Sequence, residues 1–192
     1  MSGFPRTPQI LKAGLITLDA ESGILQRTIV LQYNPESLSR SVQPAMGEPG
    51  GADSLRINGP PVETFKLDAE LDAADQLELP DQHPDTVEQG IFPQLAALET
   101  LVYPTSQGLL DTKQLADQGA MEIFPMAAPL TLFVWSRQRV LPVSLTEFSV
   151  NEEAFDTQLN PIRAKVSLGM RVLTVDDLGH DHKAGSLYMV YH

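Results

Sequence analysis

From Ile162 to Val172 the apolar residues fall on alternate positions (Ile162, Ala164, Val166, Leu168, Met170, Val172), while Arg163, Lys165, Ser167, Gly169 and Arg171 take the others. A period of two puts one set on a core face and the other on a solvent face, which predicts a half-buried β-strand. Taken over Ile162–Val175 at ~3.3 Å per residue it reaches roughly 40 Å, far beyond an average strand. It therefore either bends, with Gly169 as the site for a bulge, or crosses two sheets or a subunit boundary. The same alternation runs through Val62–Asp72, with Phe65, Leu67, Ala69 and Leu71 facing one way and Lys66, Asp68, Glu70 and Asp72 the other.

Shorter runs complete a mostly β pattern. Ile10–Leu18 and Arg27–Tyr33 read as a hairpin turning at Glu21, Ser22 and Gly23, and Asn34-Pro35 ends its second strand because proline fixes φ and restricts its neighbour. Ser37–Gln43 restarts an extended segment. Residues 44–61, rich in glycine and proline, predict a flexible surface loop. Val87, Ile91, Leu95, Leu98 and Val102 recur at helical spacing behind a D-x-x-E capping pattern at Asp85 and Glu88, which predicts one substantial helix over Thr86–Val102. Gly90 and Pro93 make it either kinked or a short turn leading into a helix that begins near Pro93; Pro104 stops it. Leu109–Gly119 reads as a polar connection, and Leu130–Ser136 and Arg139–Val150 as two more strands joined tightly through Ser136–Gln138.

Length and composition favour one domain over residues 1–192: the chain is 42% hydrophobic, with no internal repeat, enough to bury roughly 70% of its unfolded surface. Cysteine is absent, which removes disulfides, thiolate metal sites and a cysteine nucleophile. Two prolines interrupt MSGFPRTPQILK, and no run approaches the ~20 apolar residues of a spanning helix. Synthesis in the cytoplasm and no membrane insertion are the expectation. A net charge of −12 opposes binding to nucleic acid, which needs clustered Lys and Arg. The acids crowd into 63–99, whereas Arg163, Lys165 and Arg171 share one strand face. Such opposed patches suit pairing between identical subunits in head-to-tail rings.

Catalytic and metal chemistry find little purchase. Asp68, Glu70 and Asp72 stand ~6.5 to 7 Å apart along a strand, within the range of paired glycosidase carboxylates, but nothing places one in an apolar pocket. Asp177, His180 and His182 concentrate metal-ligand atoms, yet around Gly179 they point in different directions. There is no G-x-S-x-G elbow and no phosphate loop. No enzyme activity and no cofactor are expected. Phe133, Trp135 and Phe148 are read first as core, and Tyr33-Asn34-Pro35 and Asn160-Pro161 as turns.

The order LFVW, a short turn, RVLPVSLTEFSV, EEAFD and LNPIRAKVSLGMRVL, preceded by QYNPESLSRS at Gln32–Ser41, resembles the tube-type baseplate protein of contractile injection systems, the phage-tail-like machines of bacteria. The resembling segments and the helix between them cover most of the chain. The resemblance implies a mainly β, tail-tube-like fold: a small barrel of two packed sheets with one flanking helix. It also implies a six-fold ring that adapts the inner tube to the central spike, with baseplate and sheath components as further partners inside the particle. Interface candidates are Tyr33, Asn34, Pro35, Asp68, Glu70, Asp72, Arg137, Asn160, Arg163, Lys165 and Arg171. The family's appended LysM module is missing; Ala184–His192 reads as the start of its C-terminal helix. The alternatives are a main inner-tube subunit, for which the chain is long, and a soluble β-rich binding module.

Overall fold

The computed structural model describes residues 11–19, 22–46, 57–103, 129–174 and 177. Its strands are β1 (Gly14–Leu18), β2 (Leu25–Val30), β3 (Ser39–Gln43), β4 (Val62–Asp72), β5 (Leu130–Ser136), β6 (Arg139–Phe155) and β7 (Pro161–Val172). Between β4 and β5 come three short helices, α1 (Ala74–Leu77), α2 (Pro84–Gln89) and α3 (Phe92–Glu99), with a 3-10 turn at Pro80–Gln82 before α2. The fold is mainly β. All seven strands join one antiparallel sheet in the order β2-β1-β5-β6-β7-β4-β3.

That sheet is rolled rather than flat. At ~4.8 Å per strand, β5 and β4 would lie roughly 14 Å apart in a flat sheet, yet the Phe133 and Phe65 rings meet with centroids 5.9 Å apart. From β2 to β4 a flat sheet would measure about 24 Å. Here Gln32, two residues past β2, donates from Nε2 to the Asp72 carbonyl at 2.6 Å and accepts the Asp72 N–H at 3.0 Å through Oε1. A side-chain amide thus stands where a strand partner would close the barrel. The two packed layers expected from the resemblance are the halves of one continuous sheet, and the main core lies between them and the helices, with a smaller cluster around Leu130 and Leu132. The main core contains Leu15, Phe65, Phe133, Leu141, Val166, Leu168 and Met170, with Ile91, Leu95 and Leu98 from the helical side. Trp135 and Phe148 pack against it, partly buried.

The expected long helix is two. Gly90 adopts φ 60°, the left-handed region that glycine enters without a Cβ clash, and Ile91 N–H then bonds the Pro161 carbonyl at 2.8 Å. Helix α3 starts afresh with Pro93 in its first turn. The Asp85/Glu88 capping pattern is not realised: His83 holds the N-cap of α2 without a side-chain bond.

The bulge lies on the partner of the expected strand. The register passes from Leu145↔Met170 to Glu147↔Gly169, so Thr146 on β6 is the extra residue. Gly169 lets the bulge approach: a Cβ there would stand 2.8 Å from Glu147 Cβ. Strand β6 also runs on through the acidic Glu152 and Glu153 to Phe155. Charges fit there because this half-strand, from Ser144 onward, has no buried residue. Met46 and Ile57 form an isolated bridge; 47–56, Leu109–Gly119, His180, His182 and Ala184–His192 lie outside the described residues.

Candidate functional site

Because apolar positions of β4 and β7 turn inward, the intervening positions form one polar outer face, and the register aligns them in rows. Asp72 faces Arg163, Glu70 faces Lys165 and Asp68 faces Ser167; β6 continues the rows with Ala154, Asn151 and Ser149. Arg163 Nε donates to Asp72 Oδ2 at 2.8 Å, which holds the guanidinium pKa above its ordinary value. Lys165 Nζ lies 3.7 Å from both Glu70 and Glu153. Ser167 Oγ donates to Asp68 at 2.6 Å, and Lys66 Nζ to Glu147 at 2.6 Å.

The acidic and basic patches therefore pair within one chain, where pairing between subunits was expected. The reason is topological: β4 and β7 are neighbours in the sheet, so opposite charges at matching register meet across the ladder. Tyr33, Asn34 and Pro35 join the same region. With Glu36, Ser37, Asp68, Glu70 and Lys165 they line a cleft of about 200 Å³; a second of about 310 Å³ lies between Tyr33, Asp72, Glu153 and Arg163. Asn34 is committed to the fold, since its Oδ1 accepts the Ala13 N–H at 2.9 Å and its Nδ2 donates to the Leu11 carbonyl at 2.8 Å.

The remaining candidates lie apart. Arg137 is exposed in the β5–β6 turn. Arg171 donates to both oxygens of Asp177 at 3.0 and 3.1 Å. Asp177 also accepts from the Thr174 N–H and hydroxyl, and these bonds, Arg171 first, hold its carboxyl below the ordinary range. A carboxylate so engaged is a tether at the end of β7, not a spare ligand. Among the described residues no three His, Cys, Asp or Glu side chains gather as a metal site, and no helix is long and apolar enough to cross a membrane. Asn160 sits in the β6–β7 turn, donating from Nδ2 to Asp156 Oδ2 at 2.8 Å and to the Glu88 carbonyl at 3.0 Å.

Two surfaces carry no signature in the sequence. At one end of the sheet, β3 is exposed along its whole length; Val42 is 45% exposed, and Met46, Ile57 and Val62 beside it are also open. No register shift interrupts its pairing with β4, and none of the described strands pairs with its outer edge. At the β6–β7 turn, Phe155 and Leu159 are exposed, Leu159 to 78%. Neither surface follows from periodicity: the first depends on which strand ends at the sheet's margin, and the second lies in a turn between two periodic runs.

No protein-family model matches the chain, and neither does any curated protein. Among solved structures, a chain in the virion of a native gene transfer agent particle is 11% identical at a TM-score of 0.32, over 83% of this chain and 90% of that one. A chain in the tail of an empty gene transfer agent particle with C6 symmetry is 13% identical at a TM-score of 0.34, over the same shares.

Proposed function

We propose that this protein is a structural subunit of a phage-tail-like contractile injection particle, forming a ring in the baseplate that joins the inner tube to the central spike. It works by association rather than by catalysis. The observation that carries the reading is the β3 edge, which no other described strand pairs. Soluble monomers blunt such edges with proline, bulges or inward charge, because an open edge invites another strand; here it is straight and flanked by exposed Val42, Met46, Ile57 and Val62. The tube-type resemblance of Gln32–Ser41 and Pro129–Asp176 supplies the kind of assembly. A neighbouring copy is the edge's partner, by strand augmentation, and the polar face of β4, β7 and β6 stays solvated.

The test is to tag the chain in its native host, purify gently, and examine the eluate by negative-stain electron microscopy and mass spectrometry. Sheathed particles with tube, sheath and spike proteins, and this chain at about one ring per particle, are the expected result; many copies along the shaft would make it the main tube subunit instead. A monomer without such company refutes the assembly reading. In the same assay Val42→Lys, which places a charge on the edge, is expected to abolish incorporation while leaving the thermal midpoint of the purified chain unchanged.

A further inference from the structure

The β6–β7 turn is built as a rigid apolar knob. Asp156 accepts the N–H groups of Gln158 at 2.7 Å and Asn160 at 2.8 Å, its own N–H bonds the Asn160 carbonyl at 2.9 Å, and Leu159 N–H bonds the Asp156 carbonyl at 3.2 Å. The turn is pinned to the α2–α3 joint through Asn160 to Glu88 and through Ile91 to Pro161. Within this frame Leu159 is held at φ 67°, alone in that region among the described non-glycine residues. A branched apolar side chain kept in a disfavoured conformation, and pushed into water, is an outlier that points to a function. The knob's flanks are acidic, with Glu152, Glu153 and Asp156, and its crown offers the Thr157 hydroxyl and the Gln158 amide as donors.

Elsewhere on the same chain is a recess with the opposite features. Between β2, the end of β4 and α3 lies a groove of about 290 Å³ floored by Ile29, Leu31, Leu71, Ala97 and Leu98, equal to ~10 waters at ~30 Å³ each. Gln94 lines it, and its Oε1 is buried with no hydrogen-bond partner. Arg27 at its margin donates to the neutral Thr100 hydroxyl at 2.6 Å, and Lys12, beside the other end of β2, to the Gln32 carbonyl at 3.0 Å. Neither cation faces a carboxylate among the described residues. Glu70, which also lines the groove, is engaged by Lys165 at 3.7 Å, so in a chain of net charge −12 the two cations at the groove's margins suit an acidic visitor.

We infer that the knob of one copy seats in the β2–α3 groove of the next, with Leu159 on the apolar floor, the crown donors at Gln94, and the acidic flanks beside Arg27 and Lys12. Knob and groove occupy different surfaces, so the contact is heterologous and propagates head to tail. It rests on the ring reading and adds a second contact to the β3 edge.

The absence of cysteine makes the test clean. Two differently tagged copies, one Leu159→Cys and one Ala97→Cys, are co-expressed in the native host, and the purified particles are treated with a short bismaleimide. Cross-linked species carrying both tags are expected, and none when Arg137→Cys replaces Leu159→Cys. Particles that contain both copies but yield no mixed product overturn the contact and leave the ring reading standing; particles that lack the chain altogether overturn both. As a second arm, Leu159→Gly relieves the left-handed backbone and removes the anchor. It is expected to raise the thermal midpoint of the single chain while weakening self-association about tenfold. Unchanged association would overturn the inference.

Discussion

Replacing Gln32 with alanine opens the barrel at the side-chain closure described for Asp72. The wild-type amide makes two hydrogen bonds to Asp72, at 2.6 and 3.0 Å, in partly buried surroundings. A net contribution of about 1 kcal/mol for each gives a loss of about 2 kcal/mol, since water reaches part of the vacated site. For a chain of this size that lowers the thermal midpoint by about 4 to 8 °C. Gln32→Glu separates hydrogen bonding from bulk: it fills the same space, but sets a carboxylate oxygen against the Asp72 carbonyl, beside the Asp72 side chain. Like charge and partial burial raise the folded pKa of such a group. Its neutral form is therefore favoured by folding, so the penalty is full at pH 7 and shrinks as pH falls toward the ordinary glutamate value of about 4.3. The assay is thermal unfolding followed by circular dichroism at pH 7 and pH 4. A Gln32→Ala midpoint within about 1 °C of wild type would refute the closure argument, as would a Gln32→Glu variant no less stable than Gln32→Ala at pH 7.

Three further outcomes follow from geometry already described. Gly169→Ala brings a Cβ to 2.8 Å from Glu147 Cβ opposite the bulge and is expected to destabilise the fold by about 1 to 3 kcal/mol, measured by urea unfolding; an unchanged midpoint would show that Thr146 and Glu147 yield freely. Asp177 has its pKa lowered from 3.8, so its contribution is complete above that pH and is lost as acid takes the group through its lower folded value. Protection of the Thr174 amide from hydrogen exchange, taken relative to its intrinsic rate at each pH, should fall in that acid window, and Asp177→Asn should remove the dependence. Arg163→Asp alone is expected to weaken folding only slightly, as befits an exposed pair, and Asp72→Arg in the same chain to restore most of the loss; a double variant no more stable than the worse single one would exclude pairing across the ladder.

The parts of this fold that sequence reasoning reached are those set by side-chain period. Strands β4 and β7 bury Phe65, Leu67, Ala69 and Leu71 and Ala164, Val166, Leu168 and Met170, the residues their alternation assigns to the core. Adjacency is what a period cannot supply. That β4 lies beside β7, so that Asp72 meets Arg163 inside one chain, depends on sheet order, and the separate charge patches gave no hint of it. The Gln32 clamp was hidden for the same reason: an amide that reaches across the seam leaves no local pattern. Gly169 was recognised as the site of irregularity, but the extra residue belongs to the strand opposite. Strand β6 outran its predicted end because Glu152 and Glu153 look like loop residues until their half-strand is found to project into solvent.

The polar face described above is a zwitterionic lattice. Its cations sit within 2.6 to 3.7 Å of carboxylates on flanking strands, spacings well inside the Debye length of about 8 Å at physiological salt. Opposite charges that close together cancel in part before their field reaches far into solution, so the excess of Asp68, Glu70, Asp72, Glu147 and Glu153 over Lys66, Arg163 and Lys165 is felt only as a weakened negative field. A polyanion sliding across it would be turned away, and a polycation would find its attraction interrupted at every lysine and arginine in the lattice.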